Sequence, residues 1–340
     1  MQKKVLTDIA IIRPLCILSI VIGHSFAIYS GVWEKPGHIL DVTFYQWINP
    51  FFISFQLQAF VFVSGYLFGY QTITLGRKDD PKKFIAKKFK RIYLPCLLFG
   101  LLYYLLFEYA QKDYSLIDSL LVISNGVGHL WFLPMIFACY IVAYYTTNIL
   151  MKKPFWIILL AGLLLFVSPL VPNVFGISSM MSYLLYFYLG YLYVANKNLL
   201  TQFLSSYRNV LIITLLFLIS FGLFYFIKYS YEPTMVLKVI LFALKVPLSV
   251  LGILSLFGFV NKYLVNRNTL SKVFLYLNDW SYGIYVVHQF VLVWLIDFTS
   301  LSEKVSSFVF PFYILIITLS VTSLIVISFL KTKVGRYLIG

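Results

Sequence analysis

Ten apolar runs, each close to the length of a membrane-spanning helix, divide this sequence of 340 residues. A helix needs about 20 apolar residues to cross a bilayer, and only helices and closed barrels can span it. Apolar residues make up 61% of the chain and charged residues 11%, whereas soluble domains are about half apolar and about a quarter charged. The sequence therefore predicts an all-α polytopic membrane helix bundle, with residues 1–340 as a single membrane-embedded domain. The predicted spans are 9–30, 49–70, 92–109, 130–150, 154–171, 179–196, 209–228, 236–260, 279–298 and 307–330.

The basic residues lie mostly between these runs and predict the orientation of the chain. A net charge of +15 by itself suggests nucleic-acid binding, but the positive charges are dispersed among the loops. Twenty of the 27 Lys and Arg residues fall near the termini and in one set of alternate loops, and four fall in the other set. Cytoplasmic loops of membrane proteins are enriched in Lys and Arg. We therefore expect cytoplasmic termini, an even number of helices and no nucleic-acid partner.

The first run, DIAIIRPLCILSIVIGHSFAIYS at 8–30, carries two ionisable residues, Arg13 and His24. Their separation of eleven residues corresponds to three helical turns plus about 20°, and to about 16 Å along the axis. The two side chains therefore share one face of the predicted helix. Ionisable residues within a membrane are costly and are usually functional, so this face is a candidate polar path. The alternative is that Arg13 extends to the membrane surface and His24 makes packing hydrogen bonds.

The predicted orientation places none of the four histidines on the cytoplasmic side. His24 lies in the outer half of the first helix, and His38 lies in the first outer loop. His129 begins the fourth helix at its outer end, and His288 lies near the middle of the ninth. Histidine is the commonest general base, so these residues could build an outward-facing site. The alternative is that each bonds to a neighbouring helix, and for His38 either that alternative or plain loop solvation is the expectation.

The cytoplasmic side carries the basic segment RKDDPKKFIAKKFKR at 77–91. Lys88 and Arg91 are three residues apart, which on a helix places them on one face and suits a phosphate ligand. The alternative is a topology anchor that attracts anionic lipid head groups. In the eighth span, Lys238 and Lys245 are seven residues apart and share a face, and the deeper Lys245 is expected to need an anionic partner.

Small residues in other runs predict packing. Ser64 and Gly65 in the second span allow helices to approach closely. Cys16, Cys96 and Cys139 fall in apolar runs and show no metal or disulfide spacing. The sequence therefore predicts no metal site.

Five patterns occur in order along nearly the whole chain: Arg13 with His24 as Arg-x10-His, FVFVSGYLF at 60–68, KFKRIYLP at 88–95, GHLWFLP at 128–134 and IYVVH at 284–288. Together they resemble the acyltransferase-3 family of integral membrane acyltransferases, which contains bacterial surface-polysaccharide O-acetyltransferases. Two positions depart from the family pattern. The segment 56–58 reads Gln-Leu-Gln where His-x-Pro is common, and Lys88 stands where arginine is common.

The resemblance implies an O-acyltransferase of the plasma (inner) membrane. Its donor would be cytoplasmic acyl-CoA, with acetyl-CoA as the first expectation, and its acceptor a hydroxyl of a cell-surface or lipid-linked glycan. The catalytic residues that the resemblance implies are His24, as general base or as a transient acyl carrier, and Arg13. The residues implied on the donor are Arg13, Lys88 and Arg91, and those implied on the acceptor are His129, Trp131, His288 and Ser64.

Two other functional classes fit the same polar residues. A transporter or flippase for a glycan or a lipid-linked intermediate would use the polar face of the first helix as a path. A non-catalytic assembly partner in polysaccharide export is the third hypothesis. The sequence leaves open the acyl group (acetyl or succinyl), the acceptor sugar and its position, the oligomeric state and the partner of Lys245.

Overall fold

The computed structural model describes residues 6–77, 79–109, 114–232, 234–265 and 272–340, and these residues form helices and connecting loops without a β-strand. This confirms the predicted all-α fold class. The α-helices are α1 (Thr7–Ser25), α2 (Ile48–Ile53), α3 (Gln56–Gly69), α4 (Pro81–Lys88), α5 (Leu94–Tyr103), α6 (Leu116–Asn125), α7 (Phe132–Lys152), α8 (Pro154–Val167), α9 (Ile177–Ala195), α10 (Lys197–Ser205), α11 (Tyr207–Ser230), α12 (Met235–Phe259), α13 (Lys272–Asp297), α14 (Leu301–Lys304), α15 (Phe310–Lys331) and α16 (Lys333–Ile339).

Each of the ten predicted spans coincides with a helical segment. Among the described residues, seven segments are long and apolar enough to cross a membrane. Of the other three, Pro154–Leu170 is apolar but shorter, while α9 and α13 have the length but contain more tyrosine and polar side chains. The seven are Thr7–Ser25, Thr43–Thr74, Pro81–Glu108, Gly128–Lys152, Tyr207–Ser230, Met235–Leu264 and Phe310–Lys331.

The orientation of the chain stays a prediction. Some of the Lys and Arg residues that were counted for this prediction lie outside the described residues. The positions concerned are Lys3, Lys4, Lys78, Lys112 and Arg267, together with the side chain of Lys272.

Local sequence explains where the helical segment that contains the third predicted span begins, at Pro81. The carboxylate of Asp80 caps α4 by accepting from the backbone N–H groups of Lys82 and Lys83, at 3.1 and 3.4 Å, and Pro81 occupies the first turn. Before Pro95 the helix widens into a π-helical segment, Phe89–Tyr93. Proline has no N–H to give to the preceding turn, so a local irregularity is expected there. The helix therefore continues through Lys88 and Arg91 with altered geometry.

The chain divides into two compact units. Unit 1 comprises Met1–Val63, Asn196–Ser281 and Val291–Thr322, and unit 2 comprises Ser64–Ala195, Tyr282–Phe290 and Ser323–Gly340. The prediction of one membrane-embedded domain stays a prediction.

In unit 1, helix α1 is mostly interior. Its span is 67% buried, compared with 22% for the spans that contain α11 and α12. The outer faces of α11 and α12 carry exposed leucine, isoleucine and valine side chains, as lipid-facing helices do. The interior position of α1 explains why its polar residues meet protein groups.

In unit 2, α7, α8 and α9 pack together, and α4 with the segment Phe89–Tyr93 packs against α7. The interior is rich in aromatic side chains, among them Phe68, Phe84, Tyr140 and Phe187, whose rings contact one another. The side chain of Lys88 lies against two of these rings, those of Phe84 and Tyr140.

Candidate functional site

Arg13 and His24 lie in one continuous helix, α1, as predicted. Both side chains are half-buried in unit 1. The guanidinium Nη1 of Arg13 donates to Oδ1 of Asn278 at 3.5 Å, which is a long hydrogen bond. The helix therefore provides the common face that the eleven-residue spacing predicted, while the functional roles of both residues stay predictions.

The imidazole of His24 is held at the C-terminal end of α1. Its ring centroid lies 5.3 Å from that of Trp33, with a tilt of 35° between the planes. The next carbonyl back along the chain, that of Gly23, accepts a hydrogen bond of 2.7 Å from Nδ2 of the fully buried Asn49. The side-chain oxygen Oδ1 of Asn49 accepts a hydrogen bond of 3.1 Å from the hydroxyl of Ser30. Trp33 and Asn49 therefore constrain the ring and the backbone at His24.

The position of His24 in the helix has an electrostatic consequence. His24 lies in the last turn of α1, where the aligned peptide dipoles of the helix place a partial negative charge. A positive charge in the last turn of a helix is stabilised by about 0.3–1 kcal/mol.

His129 and His288 meet inside unit 2. Their ring centroids are 4.8 Å apart in an edge-on arrangement, and both side chains are buried. His129 Nε2 donates to the carbonyl of Val286 at 3.0 Å, and the hydroxyl of Tyr285 donates to the carbonyl of His129. His288 Nδ1 donates to the carbonyl of Tyr285 at 2.7 Å. A carbonyl only accepts, so the proton of neutral His288 lies on Nδ1 and its Nε2 carries the lone pair.

Two glycines set the position of His129. Gly126 and Gly128 have φ angles of +85° and +56°, which favour glycine. A Cβ on Gly128 would lie 3.1 Å from the ring of Tyr103. The turn leads into a short 3₁₀-helix, Gly128–Trp131, which precedes α7. His129 is therefore at the start of the fourth span, as predicted, but in the 3₁₀ turn instead of the α-helix.

Lys88 and Arg91 make different contacts within unit 2. The ammonium of Lys88 lies 3.4 Å from the centroid of the Tyr140 ring, a cation–π contact. The guanidinium of Arg91 is exposed and donates to the backbone oxygen of Gly340. The intervening π-helical geometry turns the two residues further apart than an α-helix would. Their role in phosphate binding stays a prediction.

Ser64 and Trp131 have contacts that suit packing. The carbonyl of Ser64 accepts from the hydroxyl of Tyr140 at 3.4 Å. The Trp131 ring lies 5.9 Å from that of Tyr183. The neighbouring Gly65 allows α3 to lie directly on α9, because a Cβ there would be 2.0 Å from the carbonyl oxygen of Phe187. The interpretation of Ser64 and Gly65 as packing residues therefore has a structural basis.

The eight predicted site residues fall into two groups. Arg13 and His24 belong to unit 1, and the other six belong to unit 2. Within the described residues, no group of three or more His, Cys, Asp or Glu side chains could hold a metal ion.

Sequence reasoning missed three residues that shape these sites. Trp33 and Asn49 lie outside the predicted first span and contact its end through folding, so spacing could not pair them with it. Tyr140 lies on α7 and meets Lys88 of α4. A weak signal existed for Asn49, since it is an amide at the start of an apolar run.

Comparison with protein families gives one result that fits these observations. The family model Acyl_transf_3, described as an acyltransferase domain, matches residues 6–330, which is nearly the whole chain. The chain belongs to the acyltransferase-3 family. It is therefore a membrane acyltransferase. No curated protein and no solved structure matches it.

Proposed function

We propose that this acyltransferase moves an acyl group, with acetyl as the expected one, from cytoplasmic acyl-CoA to a hydroxyl of a cell-surface or lipid-linked glycan in the plasma (inner) membrane. One observation carries the proposal. In a member of an acyltransferase family, the mostly buried helix α1 holds His24 in its last turn, fixed by Trp33 and, through Gly23, by Asn49. A general base must be positioned before it can work, and these contacts position it.

In the proposed step, the imidazole of His24 takes the proton of the acceptor hydroxyl as its oxygen attacks the thioester carbon. The carbon–sulfur bond then breaks, and the CoA sulfur leaves with the proton from the imidazolium. The partial negative charge at the end of α1 stabilises that imidazolium. An acyl-histidine intermediate is the alternative route, in which the acyl group passes through the ring nitrogen.

The other predicted residues take proposed roles on either substrate. Arg13, Lys88 and Arg91 are proposed to bind the donor, whose phosphates require positive charge. The residues proposed for the acceptor are Ser64, His129, Trp131 and His288.

The proposed function is tested with purified protein, labelled acetyl-CoA and a glycan acceptor. We expect His24→Ala to reduce acyl transfer by about 10²–10⁴-fold, the usual contribution of general-base catalysis. The matched control is His38→Ala, because His38 is an exposed loop histidine of the same unit, with Nε2 3.0 Å from the Ser302 hydroxyl. Acyl transfer by His24→Ala at a near wild-type rate would show that His24 is not the base. An absence of acyl-CoA consumption by the wild-type protein would favour the transporter alternative.

A further inference from the structure

Unit 1 contains a cavity of about 360 Å³ beside the end of α1. Its walls come from the segment Asn49–Ser54, from the C-terminal part of α11 and from α12, together with Ser30 and Val32. Two buried hydrogen bonds brace these walls. The hydroxyl of Ser249 donates to the carbonyl of Ser54 at 2.7 Å, and that of Tyr225 donates to the carbonyl of Pro50 at 3.3 Å. The cavity is therefore framed by fixed contacts.

The charge of this cavity is entirely positive. Lys228, Lys238 and Lys245 line it, and none of the described lining residues is Asp or Glu. Among the described residues these three lysines form no ion pair, whereas Lys35 of the same unit pairs with Asp41 at 2.6 Å. A half-buried ammonium such as that of Lys245, within a membrane-spanning helix, is costly without a counter-charge. The cavity thus has the charge of an anion site.

The uncharged residues that line the cavity indicate which kind of molecule bears the anionic group. Phe224, Tyr225 and Tyr229 supply aromatic surface, and the ammonium of Lys228 lies 5.3 Å from the ring centroids of both tyrosines. Ser30 and Asn49 also line the cavity, and the Ser30 hydroxyl donates to Oδ1 of Asn49. Small-ligand pockets typically occupy about 300–1,000 Å³, so this cavity lies at the lower end of that range and suits a ligand of monosaccharide size.

The cavity is connected to the proposed catalytic base. Asn49 lines the cavity and also donates to the carbonyl of Gly23, the residue before His24. Val32 lines it as well, and the next residue, Trp33, contacts the His24 ring. A ligand in the cavity would touch Asn49 and Val32, and these residues connect it to the backbone before His24 and to the ring of Trp33.

We propose that this cavity binds a carboxylate or phosphate group on the acceptor glycan, so that the enzyme acts on an acidic saccharide. Lys245 and Lys238, on one face of α12, pair with the anion, and the tyrosines of α11 cover the sugar ring. This inference rests on the proposed function for its biological meaning, while the binding itself does not depend on turnover.

Binding is measured by saturation-transfer NMR on protein in phosphatidylcholine nanodiscs without acyl-CoA. The probes are glucuronic acid, glucose 1-phosphate and glucose. We expect the two acidic sugars to bind at least about tenfold more tightly than glucose, since a hydrogen-bonded charge contributes that much. Lys245→Gln should weaken their binding by about tenfold or more. Lys304→Gln, which neutralises an exposed lysine of the same unit, should leave it unchanged.

Because Lys245 is half-buried, Lys238→Gln serves as a second variant at an exposed position, and it should also weaken the acidic sugars. Equal binding of glucose and glucuronic acid, or wild-type affinity in both lysine variants, overturns the proposal. Displacement of glucuronic acid when phosphatidylglycerol replaces phosphatidylcholine assigns the cavity to a lipid head group and also overturns it. Failure here leaves the result for His24→Ala unaffected, and the reverse also holds, so the two proposals fail separately.

Discussion

Replacement of Gly65 by alanine should destabilise the protein, because this glycine lies against the backbone of α9. A Cβ at this position would be 2.0 Å from the carbonyl oxygen of Phe187, 2.8 Å from its carbonyl carbon and 3.1 Å from its Cα. Ordinary contacts begin at 3.4 Å, so the two helices must separate by more than an ångström. All three atoms belong to the backbone, and no side-chain rotation relieves the overlap.

The magnitude follows from two opposing effects. Overpacking of an interior typically costs about 1–3 kcal/mol. Alanine in place of glycine within a helix stabilises the folded state by about 0.5–1 kcal/mol. Because the overlap at Phe187 is severe, we expect a net loss of about 1–2 kcal/mol or more in the free energy of unfolding.

The measurement is thermal unfolding in a single detergent, followed with a thiol-reactive dye. All three cysteines are buried in the folded chain, so dye labelling reports unfolding. Gly162→Ala is the matched control. Gly162 lies inside α8 of the same unit, and an added Cβ meets nothing within 4 Å, so this variant should melt at or above the wild-type temperature. If Gly65→Ala also melts at or above that temperature, the close approach of α3 and α9 is not a constraint.

Two further predictions concern the support of His24 by Asn49 and the binding of the acyl donor. Asn49→Ala should reduce acyl transfer and lower stability by about 1–3 kcal/mol, because it removes a buried partner of the Gly23 carbonyl; unchanged activity and melting temperature would show that this bond positions nothing. Arg13→Ala and Lys88→Gln should each raise the KM for acyl-CoA more than they change the KM for the acceptor, since each removes a charge proposed to bind donor phosphates. Steady-state kinetics with each substrate varied in turn checks this, and an unaltered donor KM would contradict the donor role.

The sequence predicted the helices well because the bilayer imposes their length. A span needs enough apolar residues to cross the hydrocarbon, and this requirement is visible as ten runs. The common face of Arg13 and His24 was also predictable, since helical geometry converts a spacing of eleven residues into an angle. The end of α1 was less predictable, as the α-helix stops at Ser25 and a 3₁₀ turn, Ala27–Tyr29, follows.

The surroundings of the candidate site could not be predicted. Lys88 and Arg91 were expected on one helix face, but Lys88 ends α4 while Arg91 lies in the π-helical segment that follows, and the two residues have different partners. His129 and His288 lie far apart in the sequence, yet their rings contact each other, and no local pattern encodes that contact. Lys245 was expected to need an anion, and only the fold placed it in a cavity with two other lysines.

The sequence by itself determined that this chain is an all-α membrane protein and that α1 carries Arg13 and His24 on one face. Both follow from local rules, namely the thickness of the bilayer and the pitch of a helix. The tertiary structure decided which groups fix His24, namely Trp33 and Asn49, and gathered the lysines of α11 and α12 around a cavity. Those contacts depend on long-range packing of side chains, which spacing along the chain does not specify.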